Sequence, residues 1–345
     1  MLLVALVFAA PGARTAVFDG LLVGVHAQSP DEPLPPRETF AAWLEQFIGE
    51  ALARGLSTPV VHGALAGIEP LERVIRSDRS QAELTPGLDK YLGSRVTPVV
   101  IRRGRALARE HRALLTRITK TYGVPGSIVL AIWGVESRYG RVTGRIPIPQ
   151  ALATLAWEGR RAGFFREQLF DALTVVDRGY IEAGALRGSW AGAMGQPQFM
   201  PSSYLNYAVD FDGDGRRDIW RSTPDALASI ANYLAAHGWQ AGTPWGREVT
   251  LPASRREVIV TAVPGRTEGC YAVRNMSGSA PLARWHALGV TRRTGKPLPR
   301  TGPEAALVSA GTRHFLVYPS YDAILGYNCA HYYALSVGLL SDRLK

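Results

Sequence analysis

Through most of the chain, apolar residues recur three and four positions apart. Phe40, Trp43, Leu44, Phe47, Ile48 and Leu52 make one stripe of this kind, and the same texture continues to about residue 122, which predicts several amphipathic helices. Residues 124–135 differ. There IVLAIWGV is apolar on every side and follows Pro125, a residue suited to the first turn of a helix, so a helix buried in the middle of a domain is expected. Further helices are predicted over 148–158, 164–178 and 224–237. After Gly246 come short β-branched runs, 248–251 and 257–263, set apart by Gly, Pro and Ser, and these predict strands. The closing segment begins with a strand-like Phe315-Leu316-Val317-Tyr318 and ends in a helix over 331–344. No internal repeat is found.

The N-terminus has its own pattern. Two apolar stretches, 2–10 and 16–25, precede Val25-His26-Ala27, whose small-x-small spacing fits signal-peptide cleavage before Gln28. Residues 1–27 are therefore read as a signal peptide and the Pro-rich, acidic SPDEPLPPR stretch within 28–37 as a linker. No apolar run reaches 18 residues, so no transmembrane anchor is expected, and the lack of a cysteine near the cleavage point argues against a lipoprotein. The expected location is periplasmic, as a soluble exported monomer.

Composition narrows the partners. The 345 residues are 46% hydrophobic and 20% charged, which excludes a disordered, collagen-like or coiled-coil chain. Lys plus Arg number 39 against 29 Asp plus Glu, a net charge of +10 that favours a polyanionic partner. The densest basic cluster, Arg102, Arg103, Arg105, Arg109 and Arg112, winds around a single predicted helix and reads as a solvated face, so nucleic acid is not the expected partner. Cys270 and Cys329 fit one disulfide in an oxidising compartment or two separate buried thiols, and the sequence leaves both readings open.

Three groups of residues carry candidate chemistry. Glu136, in AIWGVESRYG, falls near the C-terminal end of the all-apolar helix with Ile132 and Trp133 one turn before it. Partial desolvation there would raise its pKa and let it hold a proton near neutrality, as a general acid must; the alternative is a solvent-facing Glu136 paired with Arg138 or Arg141. The run GSWAGAMGQPQFMPSSY mixes small residues with Trp190, Gln196, Gln198, Phe199 and Ser202, a combination suited to the polar edges and apolar face of a sugar ring. Asp210, Asp212, Asp214 and Gly215 match positions 1, 3, 5 and 6 of an EF-hand loop and Asp218 falls at position 9. Position 12 is Arg221, so Asp225 would have to close the site in a longer loop; a metal-free turn with Arg216 and Arg217 as partners is the other reading.

WGVESRYG, LATLAWEGRRAGFF, GSWAGAMGQPQFMPSSYLNYAVDFDGDGRRDIW, ANYLAAHGW and YNCAHYYALSVGLLSDRL, in this order, resemble the lytic murein transglycosylase B family. The resemblance implies a mainly α (α+β) fold: a lysozyme-like helical core with an N-terminal helical domain and a small β-rich insert. It divides the chain into an N-terminal helical domain (38–95), a core with the Asp-rich loop (96–247), a β-rich insert (248–312) and a C-terminal segment returning to the core (313–345). It further implies action on peptidoglycan glycan strands, with Glu136 as the single catalytic residue and Ser189, Met194, Gln198, Phe199, Tyr233, Tyr327, Asn328 and Tyr91 binding substrate. No cofactor is expected for catalysis. A structural calcium ion is expected at Asp210, Asp212, Asp214, Asp218 and Asp225, and cell-wall synthesis proteins are the expected protein partners. A wall-binding protein without activity and a muramidase-type hydrolase are the alternatives.

Overall fold

The structure, a computed structural model, describes residues 38–80, 87–158 and 161–345; the expected signal peptide and linker lie outside the described residues. Four helices come first: α1 (Phe40–Ala53), α2 (Thr58–Leu65), α3 (Glu72–Ser80) and α4 (Leu88–Arg95). The next three are α5 (Pro98–Glu110), α6 (Arg112–Tyr122) and α7 (Gly126–Ser137). A two-residue strand β1 (Ile146–Pro147) leads to α8 (Ile148–Glu158) and α9 (Ala162–Asp177), and β2 (Arg187–Gly188) to α10 (Pro201–Tyr207) and α11 (Thr223–Ala236).

The apolar stripe on α1 buries Phe40, Leu44, Phe47 and Ala51, with Thr39 accepting the Ala42 N–H at 3.3 Å to cap the helix. Phe47, Val61, Leu65 and Val74 from the first three helices belong to the same apolar core as α8 and α9, so 38–95 packs on the central unit without a separate core. α7 lies at the centre, against α5, α6, α11 and the last helix, and every residue from Ile128 to Ser137 is buried. That position accounts for its apolar sequence on all sides.

The β-rich insert follows: β3 (Gly246–Thr250), α12 (Arg256–Ala262), α13 (Tyr271–Arg274), β4 (Ser279–Ala280), α14 (Leu282–Ala287), β5 (Thr291–Arg292), β6 (Ala305–Ala310) and β7 (Arg313–Val317). The chain ends with α15 (Ser320–Tyr327) and α16 (His331–Leu344). The larger sheet is antiparallel throughout, in the order β4-β6-β7-β3-β5. Its strands alternate between two cores. Ala306, Val308, Phe315 and Val317 face the main core, whereas Ala305, Leu307, Leu316 and Tyr318 face a second core built around Trp285, Ile259 and Val290.

Two expectations are corrected. The run expected as a strand over 257–263 instead lies in helix α12, with Val263 just past its end, and buries Ile259 in the insert's own core. The boundary at 312/313 cuts the β6–β7 hairpin; β7 is the middle strand of the insert's sheet, and the return to the core begins after it. The cysteine question is also answered, since Cys270 and Cys329 are joined as a disulfide with their Cα atoms 6.3 Å apart.

The last helix packs closely. A Cβ at Gly338 would run into the ring of Trp245, whose indole N–H donates to Asp342 at 3.1 Å. Gly338→Val is expected to destabilise the protein by about 1–3 kcal/mol through overpacking; a lowered Tm in thermal denaturation checks this, and an unchanged Tm contradicts it.

Candidate active site

Glu136 is positioned by the way α7 ends. Arg138 (φ 52°) and Tyr139 (φ 61°) both adopt left-handed backbone, as does Gly140 (φ 77°). Such angles are strained for bulky side chains and need tertiary support. Here the Tyr139 hydroxyl donates to the Val100 carbonyl at 2.9 Å and its ring sits edge-on to Trp133, 5.5 Å between centroids. The ring occupies the space left by Gly134, where a Cβ would come 2.7 Å from Tyr139 Cζ. Trp133 in turn donates its indole N–H to Gln196 Oε1 at 2.9 Å, and Gln196 Nε2 donates to the Trp220 carbonyl at 3.2 Å, which ties α7 to the Gly-rich run.

The carboxyl of Glu136 is buried, 4% exposed, and burial pushes its pKa up to about 7. Neither Arg138 nor Arg141 is paired with it. The Tyr333 hydroxyl and the Arg95 guanidinium pull the other way, favouring the charged form. Tyr333 acts as a nearby donor, although its buried hydroxyl falls short of a formed hydrogen bond. Desolvation wins, and the group stays protonated close to neutrality.

The Gly-rich run folds back on itself: Gly188 pairs with Met194 and Met194 with Phe199. Ser189 Oγ accepts the Ala193 N–H at 3.0 Å and the Ala191 N–H at 3.3 Å, so it shapes this turn. Gln198 takes a left-handed conformation, φ 56°, and its Nε2 donates to the carbonyls of Gly195 at 2.8 Å and Thr143 at 3.1 Å. The preceding Pro197 offers its carbonyl to the Tyr327 hydroxyl at 2.7 Å.

Aromatic rings fill the space beyond. Tyr233 meets Tyr327 at 4.8 Å and Phe199 at 5.6 Å, and its hydroxyl donates to the Gly326 carbonyl at 2.7 Å. Tyr327 and Tyr91 both feel the charge of Glu136, and Asn328 follows Tyr327 with a buried Oδ1 that has no partner. Tyr91 lies 6.0 Å from the ring of Tyr332 and under the guanidinium of Arg95. Thus Tyr91 and Tyr327 face Glu136, Asn328 adjoins Tyr327 in the chain, Tyr233 packs on Tyr327, Gln198 follows the Pro197 carbonyl that Tyr327 holds, and Ser189 shapes the turn of the same run. Met194 has no exposed surface and Phe199 only 2%, more deeply buried than Asn328, Tyr233, Gln198 and Tyr327, and their apolar side chains pack inside the run.

In the acidic loop, carboxylate oxygens of Asp210, Asp212 and Asp214 lie within 4.8 Å of one another, a set of hard oxygen donors that fits a calcium-sized cation. Asp218 and Asp225 lie beside this cluster, Asp225 close enough to feel the charge of Asp212. Asp225 is buried at the start of α11 and accepts the N–H groups of Phe211 and Asp218, each at 2.8 Å, while Asp218 accepts those of Trp220 at 3.0 Å and Arg221 at 2.9 Å. Unpaired backbone donors are costly to bury, so these two carboxylates hold the loop's shape.

Tyr333 and Arg95 were missed in the sequence. Tyr333 stands six residues after Tyr327, across a helix boundary, and no periodicity links it to Glu136. Arg95 ends a short polar helix more than 40 residues before the carboxyl that it faces.

A helical core that presents one buried, protonated carboxyl beside an aromatic cluster and a Gly-rich turn defines a lysozyme-like protein of glycosidase type. Residues 39–342 match the Transglycosylase SLT domain family. The membrane-bound lytic murein transglycosylase B of Escherichia coli is 33% identical over 312 residues, 86% of this chain and 81% of that protein. SltB3 from Pseudomonas aeruginosa, solved with NAG-anhNAM-pentapeptide, has 42% identity and a TM-score of 0.80, over 89% of this chain and 80% of that one. Slt35 of Escherichia coli, solved in complex with calcium, has 31% identity and a TM-score of 0.72, over 87% and 92%. The chain belongs to this family of lytic murein transglycosylases, lyase-type enzymes on a glycosidase fold.

A carboxyl whose pKa rises on folding binds more protons in the native than in the unfolded state between about 4.5 and 7, so stability falls as pH rises through that window. Glu136→Gln removes this loss. The variant should exceed the wild type in stability by on the order of 3 kcal/mol at pH 8 and match it near pH 4; denaturant titrations at the two pH values check this, and an equal difference at both contradicts it.

Proposed function

We propose that this enzyme is exported and cleaves the β-1,4 bond between MurNAc and GlcNAc of peptidoglycan without water, leaving 1,6-anhydro-MurNAc ends. The observation that carries this reading is the isolation of Glu136. Burial, Tyr333 and Arg95 account for its shift, and among the described residues no second carboxylate contributes to it. Glycosidases ordinarily use two carboxyl groups, one as acid and one as nucleophile or base. With one, the same residue serves twice: the Glu136 carboxyl protonates the glycosidic oxygen, and the resulting carboxylate takes the proton from the MurNAc 6-hydroxyl as that oxygen attacks C1. An internal hydroxyl has a large effective molarity over water, and a dry carboxyl favours it further. The NAG-anhNAM-pentapeptide bound in SltB3, which carries such an anhydro end, supports the same outcome.

Tyr91, Ser189, Gln198, Tyr233, Tyr327 and Asn328 are the proposed glycan contacts, rings against sugar faces and amides against N-acetyl or hydroxyl groups. Arg95 and Tyr333 keep the carboxylate from being too costly once its proton has left. Export is supported by the N-terminal pattern and by a disulfide, a bond that persists in oxidising compartments. Asp210, Asp212 and Asp214 are the proposed holders of a calcium ion, which would neutralise their mutual repulsion and brace the loop.

Mass spectrometry of muropeptides released by residues 28–345 tests the reaction. Anhydromuropeptides are expected from the wild type and none from Glu136→Gln; products heavier by one water would instead mean a hydrolase. The acid must be protonated, so kcat/KM should fall about tenfold per pH unit above about 7. Calcium is expected to raise the Tm of the wild type but not of Asp212→Ala; a Tm insensitive to calcium in the wild type removes the metal from the proposal.

A further inference from the structure

The link between α15 and α16 is three residues long, Asn328, Cys329 and Ala330, and it sits between two groups of the site. Tyr327 on one side holds the Pro197 carbonyl, and Tyr333 on the other faces Glu136. The link is extended, with φ −151° and ψ 114° at Asn328 and φ −142° and ψ 125° at Ala330. Its backbone bonds are local: Asn328 N–H to Ile324 O at 3.2 Å and Ala330 N–H to Asn328 O at 2.7 Å. The Asn328 amide oxygen is buried without a partner, so no internal hydrogen bond at that atom fixes its direction. Its aim depends on the backbone beneath it.

That backbone is gripped from outside. Cys329 is bonded to Cys270, the residue before α13 in the β-rich insert, and the Ala272 N–H points at Cys329 Sγ at 3.3 Å. Ala272 and Met276 are buried in the main core, so the anchor is firm. The insert also reaches α15 through packing of α13 and the half-exposed ion pair Arg266–Asp322 at 2.8 Å, a weak restraint in water, and the backbone of Ala272 and Asn275 faces the His331 ring just after the link; the disulfide is the covalent one of these ties. We infer that the Cys270–Cys329 disulfide is a positioning device for the substrate cleft, which fixes Asn328 between Tyr327 and Tyr333 so that glycan binding depends on the oxidised state of this pair. The inference rests on the glycan-cleft reading above. When the bond is broken, the two sulfurs move from bonding to van der Waals separation, and the link that carries Asn328 takes up the displacement. Glu136, on α7, is not connected to the bond and keeps its proton affinity.

The test compares oxidised and reduced wild type on a soluble NAG–NAM oligomer. Dithiothreitol supplies two electrons and two protons, giving two thiols and its own cyclic disulfide; thiol titration and circular dichroism at the assay temperature establish that the reduced protein is complete and folded. Reduction is expected to raise KM about tenfold with a smaller change in kcat, the loss of roughly one oriented hydrogen-bonding group, and to leave the alkaline limb of the pH profile where it was. Re-oxidation should restore KM. The Cys270→Ala/Cys329→Ala double variant should behave as the reduced wild type does without any reductant. Amide hydrogen exchange should quicken at 328–330 and not at Tyr333 or across the core. An unchanged KM in folded, reduced protein overturns the inference, as does exchange that quickens everywhere. If the oxidised protein itself fails to cleave the oligomer, the proposed function falls, and the exchange experiment still reads the positioning separately.

Discussion

A carboxyl held out of water at the end of an apolar helix is the constraint on which the arrangement of this protein depends. Burying Glu136 opposes its ionisation, and the protein meets that by letting it keep its proton up to about pH 7. The supports are all remote in sequence. Tyr139 locks the left-handed helix end against Val100, Trp133 is pinned by Gln196, and Tyr333 arrives from the last helix. The site is thus a junction of α4, α7, the Gly-rich run and α16, and loosening any of them admits water to the carboxyl.

The C-terminal part of the chain serves two cores at once. β6 and β7 send alternate side chains into the insert's own core and into the main one, so the insert is fused to the catalytic unit through a shared sheet. After β7 the chain passes straight into α15 and α16, which carry Tyr327, Asn328 and Tyr333. Whatever fixes the insert therefore also bears on the cleft, and the disulfide between Cys270 and Cys329 is the covalent part of that coupling.

In the acidic loop, all five aspartates accept hydrogen bonds from the chain, and three of them also bring their carboxylates together. Asp225, at the buried start of α11, organises backbone N–H groups across the loop, and Asp218 does the same locally. Asp210 accepts the N–H groups of Gly213 and Gly215, Asp214 that of Arg216 and Asp212 the Ser222 hydroxyl, and one oxygen of each also lies within 4.8 Å of the others.

Much was legible in the sequence because it depends on local periodicity. The all-apolar helix, the final helix over 331–344, the strands at 248–251 and 315–318 and the raised pKa expected for Glu136 all follow from which residues neighbour one another along the chain. The Gly-rich run identified itself by composition. What only the tertiary structure decided was every matter of partnership. A β-branched run at 257–263 became a helix that puts Ile259 in the insert's own core, and Met194 and Phe199 were buried inside the Gly-rich run. Arg95 and Tyr333 reached Glu136, and the two cysteines met, across stretches that no pattern spans. Periodicity records which face of an element is apolar; it does not record which other element will cover that face, because the pairing is set by packing among segments far apart in the chain.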